Sequence, residues 1–273
     1  MKDHYAVAGN PVDHSLSPRI HALFAGQTGQ DMHYDRLPIP ESSFAETVGQ
    51  FFAQGGCGLN VTVPCKGDAF AWVGPTHCSQ QALRARAVNT IHRVRKEVFR
   101  GYNTDGTGLV RDLSWHGVGL TGMRILLLGA GGAVRGVLPS LAEARPDAVV
   151  IANRTLATAE SLAGEWQVAG GPTVSACALE RIEGRFDLVI NGTSAGLGGS
   201  VPPIRETSIA GAYCYDMLYG PKASFYLWAQ TIVGTRSMHG LGMLIEQAAE
   251  AFSIWRGIMP DTRAVRDALA DIG

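Results

Sequence analysis

The chain has no closely spaced pair of cysteines. Its five, Cys57, Cys65, Cys78, Cys177 and Cys214, are odd in number and scattered, which suits reduced thiols better than a disulfide framework or a zinc site. The histidines are dispersed too and make no ligand cluster, so no metal is expected. An excess of charge of one sign is also lacking: 23 Lys and Arg stand against 24 Asp and Glu, which leaves no basic face for nucleic acid or anionic lipid. The longest apolar run, Ile125 to Val134, is too short and too glycine-rich to cross a bilayer, and the first residues hold no apolar core of signal-peptide length. Repeats and low-complexity tracts are missing as well. These absences point to a cytoplasmic protein with small neutral or acidic partners, and 273 residues give room for two domains.

The rest is organised around residues 124–135. Ile125 to Leu128 is an unbroken apolar run too short for a globular helix; it ends in glycines, and small and apolar residues resume at helical spacing through Leu141. The stretch reads as strand, turn, helix. Gly129 and Gly131 fit a phosphate-binding turn, where a missing side chain lets the backbone approach a pyrophosphate at the helix N-terminus. Val134 occupies the third position of the usual glycine spacing, so the motif alone also fits a packed strand-helix corner. A second β-branched run, Val149 to Ile151, leads to Asn153-Arg154-Thr155, where a dinucleotide fold meets the adenosine ribose. An acid there would repel a 2′-phosphate; Asn153 and Arg154 offer donors and positive charge, which favours NADP over NAD.

Upstream, Tyr5 to Ala8 reads as a strand, and Ser17-Pro18 as the N-cap and first residue of a helix carrying Ile20, Leu23 and Phe24. Capping leaves Ser15 unexplained, and hydroxyls on both sides of Leu16 also suit a polyhydroxylated substrate. A strand is expected near His33 to Leu37, then a helix from Ser42 or Ser43 to Gln54 with Phe44, Val48, Phe51 and Phe52 buried and Gly55 to Gly58 closing it. In the next strand Leu59, Val61 and Val63 alternate with Asn60 and Thr62, so one face is polar. Lys66 follows Pro64 in the first turn of a helix, where the dipole disfavours a cation; it is either simply solvated or placed there for a purpose. Ala87-Val88-Asn89-Thr90 reads as a strand with a polar residue inside it. Asp105 reads first as the N-cap of the helix bearing Leu109, Val110 and Leu113. Phe186 to Ile190 and Ala212 to Tyr219 read as strands, the latter as the last of its half. A final helix from Leu241 to Trp255 carries an apolar face of Leu241, Leu244, Ile245, Ala248, Phe252 and Trp255, with Gln247 off that stripe.

Taken together, Gly9-Asn10-Pro11, Ser15-x-Ser17-Pro18, residues 60–66, 87–90, 103–106, 129–133 and 153–155, Tyr215-Asp216-Met217-x-Tyr219 and Gly240-x-Gly242-Met243-Leu244-x-x-Gln247 resemble the shikimate dehydrogenase family over essentially the whole chain. The resemblance implies NADP-linked, reversible reduction of 3-dehydroshikimate to shikimate in aromatic amino-acid biosynthesis. It implies an α/β fold of two domains, the second a Rossmann-type NADP-binding domain, with the active site in the cleft between them: 1–105 for substrate, 106–239 for NADP, and the helices of 240–273 returning to the first. By position, Lys66 and Asp105 would be the catalytic pair. Ser15, Ser17, Asn60, Thr62, Asn89 and Tyr219, with Gln247 and the same pair, would hold the substrate. Gly129, Ala130, Gly131, Gly132, Ala133, Asn153, Arg154, Thr155, Thr193, Met217, Gly240 and Met243 would hold the cofactor. Monomer and homodimer both fit.

Four positions depart from the family pattern. Thr158 stands where a second Arg is common, Cys78 where an acid is frequent, Arg86 in place of Gly and His239 in place of Asp. A quinate or dual quinate/shikimate enzyme would share the fold, but there Thr tends to replace the second Ser and an acid the cofactor-binding Arg; Ser17 and Arg154 favour shikimate. A dinucleotide-binding sensor without turnover would have little reason to keep Lys66, Asp105 and the polar faces around Asn60 and Asn89.

Overall fold

The computed structural model describes residues 2–166, 171–193 and 195–272. The chain divides into two compact units, Met1–Gly108 with Leu244–Ala270, and Leu109–Met243 with Asp271–Gly273.

The first unit runs through β1 (Asp3–Gly9), α1 (Ser17–Thr28), β2 (Met32–Pro38), α2 (Phe44–Ala53), β3 (Gly56–Val61), α3 (Lys66–Val73), α4 (Gln80–Ala85), β4 (Thr90–Arg95) and β5 (Val98–Tyr102). One sheet takes the order β2-β1-β3-β4-β5, parallel across β2, β1 and β3 and antiparallel beyond. Its central strands are apolar because both faces are covered. On one side α2 lays Phe44, Val48, Phe51 and Phe52 into a cluster with Leu59, Val61 and Ile91, each such side chain stabilising the fold by about 1.5–3 kcal/mol.

Several local expectations change. Ser17 is the first residue of α1 rather than its cap: Leu16 occupies the cap position without a side-chain bond, and Ser15 Oγ accepts from the Ser17 N–H at 3.2 Å. Of the glycines at the end of α2 only Gly55, at φ +101°, belongs to the turn. β3 starts at Gly56, since a Cβ at Gly56 or Gly58 would run into the rings of Phe51 and Trp255. Ala87 to Asn89 are not strand, and β4 begins at Thr90. Their backbone groups bond outside a ladder, Val88 N–H to Lys66 O and Ala87 O to the Asn103 amide.

From α5 (Asp105–Trp115) the chain enters the second unit, with β6 (Arg124–Leu128), α6 (Gly132–Glu143), β7 (Ala148–Asn153), α7 (Leu156–Gly164), β8 (Thr173–Ala178), β9 (Leu188–Asn191), α8 (Glu206–Ile209), β10 (Tyr213–Asp216), α9 (Ser224–Ala229) and β11 (Arg236–His239). All six strands are parallel, in the order β11-β10-β9-β6-β7-β8. The order reverses beside β6, and in such sheets ligands bind outside the carboxyl ends of the strands at that point. Residues 125–128 are fully buried. The last strand of this sheet is β11, not the run ending at Tyr219; four residues with two polar and one charged side chain carry too little pattern to stand out. α10 (Leu241–Arg256) then leads back to the first unit, where α11 (Thr262–Ala268) also belongs. Of the joins expected at 105/106 and 239/240, the first falls inside α5 and the second just before α10. Each of these helices starts in one unit and ends in the other, so the chain changes unit inside a continuous helix rather than in a loop.

Candidate active site

In the first unit, Lys66 opens α3 and Asp105 opens α5. Lys66 Nζ donates to Asp105 Oδ2 at 2.5 Å, with 17% and 8% of the two side chains exposed. Asp105 is not the N-cap. Its own N–H is accepted by Asn103 Oδ1 at 3.1 Å, which frees the carboxylate for Lys66 and for Asn89 Nδ2 at 2.9 Å. Asn89 is buried, and its Oδ1 accepts from the Thr104 N–H at 2.9 Å. Gln247 is buried as well, although it lies off the apolar stripe of its helix; its Oε1 lies 3.4 Å from Asn89 Nδ2 and from Thr104 Oγ1, and its amide donates to Leu244 O. On β3, Asn60 faces the same polar interior, donating to Thr90 Oγ1 at 3.1 Å and Asn89 O at 3.3 Å. Thr62 sits half-buried just past β3. Ser15 is half-buried and Ser17 buried; the Ser15 carbonyl is held by Arg36 Nη2 at 2.7 Å.

This is an ammonium and a carboxylate set among amides and hydroxyls. Such a group can hold a small polyol and pass a proton to a growing oxyanion. Lys66, Asp105, Asn89, Gln247 and Asn60 are joined by hydrogen bonds, while Ser15, Ser17 and Thr62 lie on neighbouring loops and on the first turn of α1. Tyr219 belongs to the second unit, half-buried after β10, and burial pushes its phenol up.

The second unit carries the glycine turn. Gly129, at φ +101°, takes a conformation that L side chains avoid, and a Cβ on it would lie 3.3 Å from Gly192 O. Gly131 and Gly132 are exposed, with nothing within 4 Å of where their Cβ atoms would be. That leaves open space over the N-terminus of the 12-residue α6, where free N–H groups favour an anion. At the end of β7 the Asn153 amide donates to Thr155 O at 3.0 Å, and Arg154 and Thr155 are exposed. An open glycine cradle with an Arg and no acid at the ribose position fits NADP.

Beyond β9 and β10, Thr193 Oγ1 donates to Asn191 Oδ1 at 2.7 Å and the Asn191 amide to Asp216 Oδ1 at 3.1 Å. Asp216 also gathers the N–H groups of Leu218, Phe225 and Tyr226, and burial pushes its carboxyl up. Gly240 packs on the backbone of Met217 too closely for any side chain, and Met217 and Met243 lean on the core of this unit. The expected cofactor residues thus lie on the glycine turn, at the end of β7, after β9 and β10, and at the start of α10. Asp216 and Asn191, which organise them, carry no separate sequence signal beyond the Tyr215-Asp216-Met217 motif that contains the first. Among the described residues no group of three or more His, Cys, Asp or Glu could hold a metal ion, and no helix is long and apolar enough to cross a membrane.

The family model described as "Shikimate dehydrogenase substrate binding domain" matches residues 7–91. "Shikimate / quinate 5-dehydrogenase" matches 113–197, and "Shikimate 5'-dehydrogenase C-terminal domain" matches 240–270. The shikimate dehydrogenase (NADP(+)) of Alkalilimnicola ehrlichii is 51% identical over 98% of this chain and 99% of its own. That of Aeromonas hydrophila is 52% identical over 96% of each. Among solved structures, an Ael1 enzyme from Pseudomonas putida superposes with a TM-score of 0.90 at 40% identity, covering 98% of both chains. The shikimate 5-dehydrogenase of Thermus thermophilus in complex with NADP(H) and shikimate superposes with a TM-score of 0.84 at 30% identity, covering 99% of this chain and 100% of that one.

Proposed function

The chain belongs to the shikimate dehydrogenase family, and on that premise we propose that it catalyses the NADP-dependent, reversible reduction of 3-dehydroshikimate to shikimate, a step of aromatic amino-acid biosynthesis. The observation that carries the reading is the largely buried Lys66–Asp105 ion pair, surrounded by the Asn89, Gln247 and Asn60 amides. NADPH, when bound, supplies the hydride. Negative charge then grows on the ring ketone oxygen, and Lys66 Nζ is the proton donor that meets it. Asp105 orients the ammonium and accepts from the neighbouring substrate hydroxyl; in the reverse direction Lys66 takes the alcohol proton.

Ser15, Ser17, Asn60, Thr62, Asn89, Tyr219 and Gln247 hold the carboxylate and remaining hydroxyls, fixing which ring carbon is presented. Gly129 to Ala133 cradle the diphosphate. Asn153, Arg154 and Thr155 meet the 2′-phosphate, with Arg154 the cation because Thr158 supplies none. Thr193, Met217, Gly240 and Met243 line the nicotinamide end. The enzyme works in the cytoplasm, as a monomer or homodimer.

The test is the purified protein with shikimate or quinate and NADP or NAD, followed by absorbance of the reduced cofactor. The expected result is the highest kcat/KM for shikimate with NADP. A clear preference for quinate with NAD would overturn the reading.

A further inference from the structure

Behind the ion pair lies a set of buried polar groups whose hydrogen bonds all run in one direction. The direction follows from two backbone groups. Thr104 N–H donates to Asn89 Oδ1 at 2.9 Å, so that atom is an acceptor and Asn89 Nδ2 is the donor to Asp105 Oδ1. Asn60 Nδ2 donates to Asn89 O at 3.3 Å, so Asn60 Oδ1 is an acceptor as well. Thr90 Oγ1, fully buried, accepts from Asn60 Nδ2 at 3.1 Å and passes its own proton to Asn89 Oδ1 at 2.9 Å. The remaining partner of Asn60 Oδ1 is the Tyr34 hydroxyl on β2, at 2.7 Å, and it has to donate.

We infer that Tyr34 is a positioning residue for the reaction: its hydroxyl begins a one-way chain of hydrogen bonds, through Asn60, Thr90 and Asn89, that ends on the Asp105 carboxylate. The inference rests on the assignment of Lys66, Asp105 and Asn60 made above and extends it to residues that meet neither substrate nor cofactor. Tyr34 suits the task because it is itself held firmly. Only 8% of it is exposed, and its ring stacks on His21 at 4.2 Å between centroids and 8° between planes. Burial keeps the phenol protonated and the His21 imidazole neutral.

A chain of aligned donors in a dry interior strengthens each of its bonds and leaves the amides a single orientation. Without the Tyr34 hydroxyl, Asn60 Oδ1 loses the donor that holds it at 2.7 Å. The amide can then turn over, and Thr90 loses the reason to donate toward Asn89.

Tyr34→Phe keeps the ring on His21 and removes one oxygen. The expected result is a fall of about tenfold in kcat/KM for shikimate, the scale of one buried hydrogen bond, with KM for NADP within about twofold of wild type. Thr90→Val, which breaks the chain at its middle, should fall comparably, and Thr90→Ser, which keeps the hydroxyl, should recover the loss. A loss of stability alone would move neither the ratio of the two KM values nor the Ser-against-Val difference. Wild-type kinetics for shikimate in both Tyr34→Phe and Thr90→Val would overturn the inference, as would KM for NADP rising in step with KM for shikimate. Should Tyr34→Phe fail to fold, the two Thr90 variants decide. If the wild-type protein does not turn over shikimate, the assignment of the site falls and takes this inference with it. If the wild type is active and the variants are unchanged, only the inference falls.

Discussion

At the scale of single residues, the proposed mechanism rests on Lys66. Its ammonium lies 2.5 Å from Asp105 at the start of α3, where the helix dipole works against a cation and only a facing carboxylate compensates. Lys66→Ala is expected to lose most of the turnover while retaining much of the shikimate binding, since the hydroxyls and amides around it remain. Single-turnover rates and a direct binding measurement separate the two effects, and an unchanged kcat removes Lys66 from the mechanism. Arg154 is exposed at the end of β7, and the proposed function gives it one charged contact to the cofactor. Arg154→Asp should weaken NADP binding by about 1.5–3 kcal/mol, roughly ten- to a hundred-fold. Titration of the variant with NADP and NAD checks this, and retained NADP affinity would mean the 2′-phosphate is met elsewhere.

Among the elements, the end of α4 shows how a departure from the family pattern is accommodated. Arg86 closes that helix at φ 49° and ψ 37°, the left-handed conformation, with its N–H bonded back to Leu83 O. The resemblance to the family implies Gly there, the residue that takes this conformation without a Cβ penalty. A side chain with a Cβ is strained in this conformation, so Arg86→Gly is expected to stabilise the first unit by about 0.5–1 kcal/mol. A melting temperature raised by a few degrees, with kcat/KM untouched, is the outcome to look for; a lowered one would show that the Arg side chain contributes more than its backbone costs. The second unit has the opposite case at Gly240, where the backbone of Met217 leaves no room for a Cβ at all.

For the molecule as a whole, the response to acid follows from His21. It is fully buried, neither ring nitrogen has a partner within hydrogen-bond geometry among the described residues, and burial pushes its pKa from 6.5 down to about 3 against the opposing effect of the nearby Asn60 amide. Between those values the unfolded chain holds a proton that the folded chain refuses, so stability falls as pH drops below about 6.5, by about 1.4 kcal/mol per pH unit at most. His92 and His239 are lowered by burial too and act in the same direction. Asp216, raised by burial, acts oppositely just above pH 3.8. These groups are common to wild type and variant, so urea midpoints from pH 7 to 4 should fall more steeply in wild type than in His21→Leu, by close to one proton. Parallel curves would show that His21 finds a way to ionise inside the fold.

What the chain determined without help was everything that depends on near neighbours. Short unbroken apolar runs specified β1, β6 and β7, the period-two alternation specified β3, and the glycine turn marked the end of β6. The 3.6-residue stripe specified α2 and α10, and side-chain chemistry pointed to Lys66, the glycines and Arg154. Motif order along the whole length is enough to identify the family. What only tertiary structure decided were contacts between residues distant in sequence. Asp105 reads locally as a cap, but it opens α5 with its own N–H on Asn103 Oδ1, and the fold brings Lys66 to its carboxylate across 39 positions. Gln247 lies off the apolar stripe of its helix, yet it is drawn inward because α10 returns to the first unit, 158 positions from Asn89. Tyr34 and Thr90 carried no local signal, since a hydroxyl on a strand has the same sequence appearance whether it faces water or begins a hydrogen-bond chain. A side chain's type sets which bonds it can make, but the partner it finds is set by packing of the whole chain, because burial removes the water that would otherwise compete for the same group.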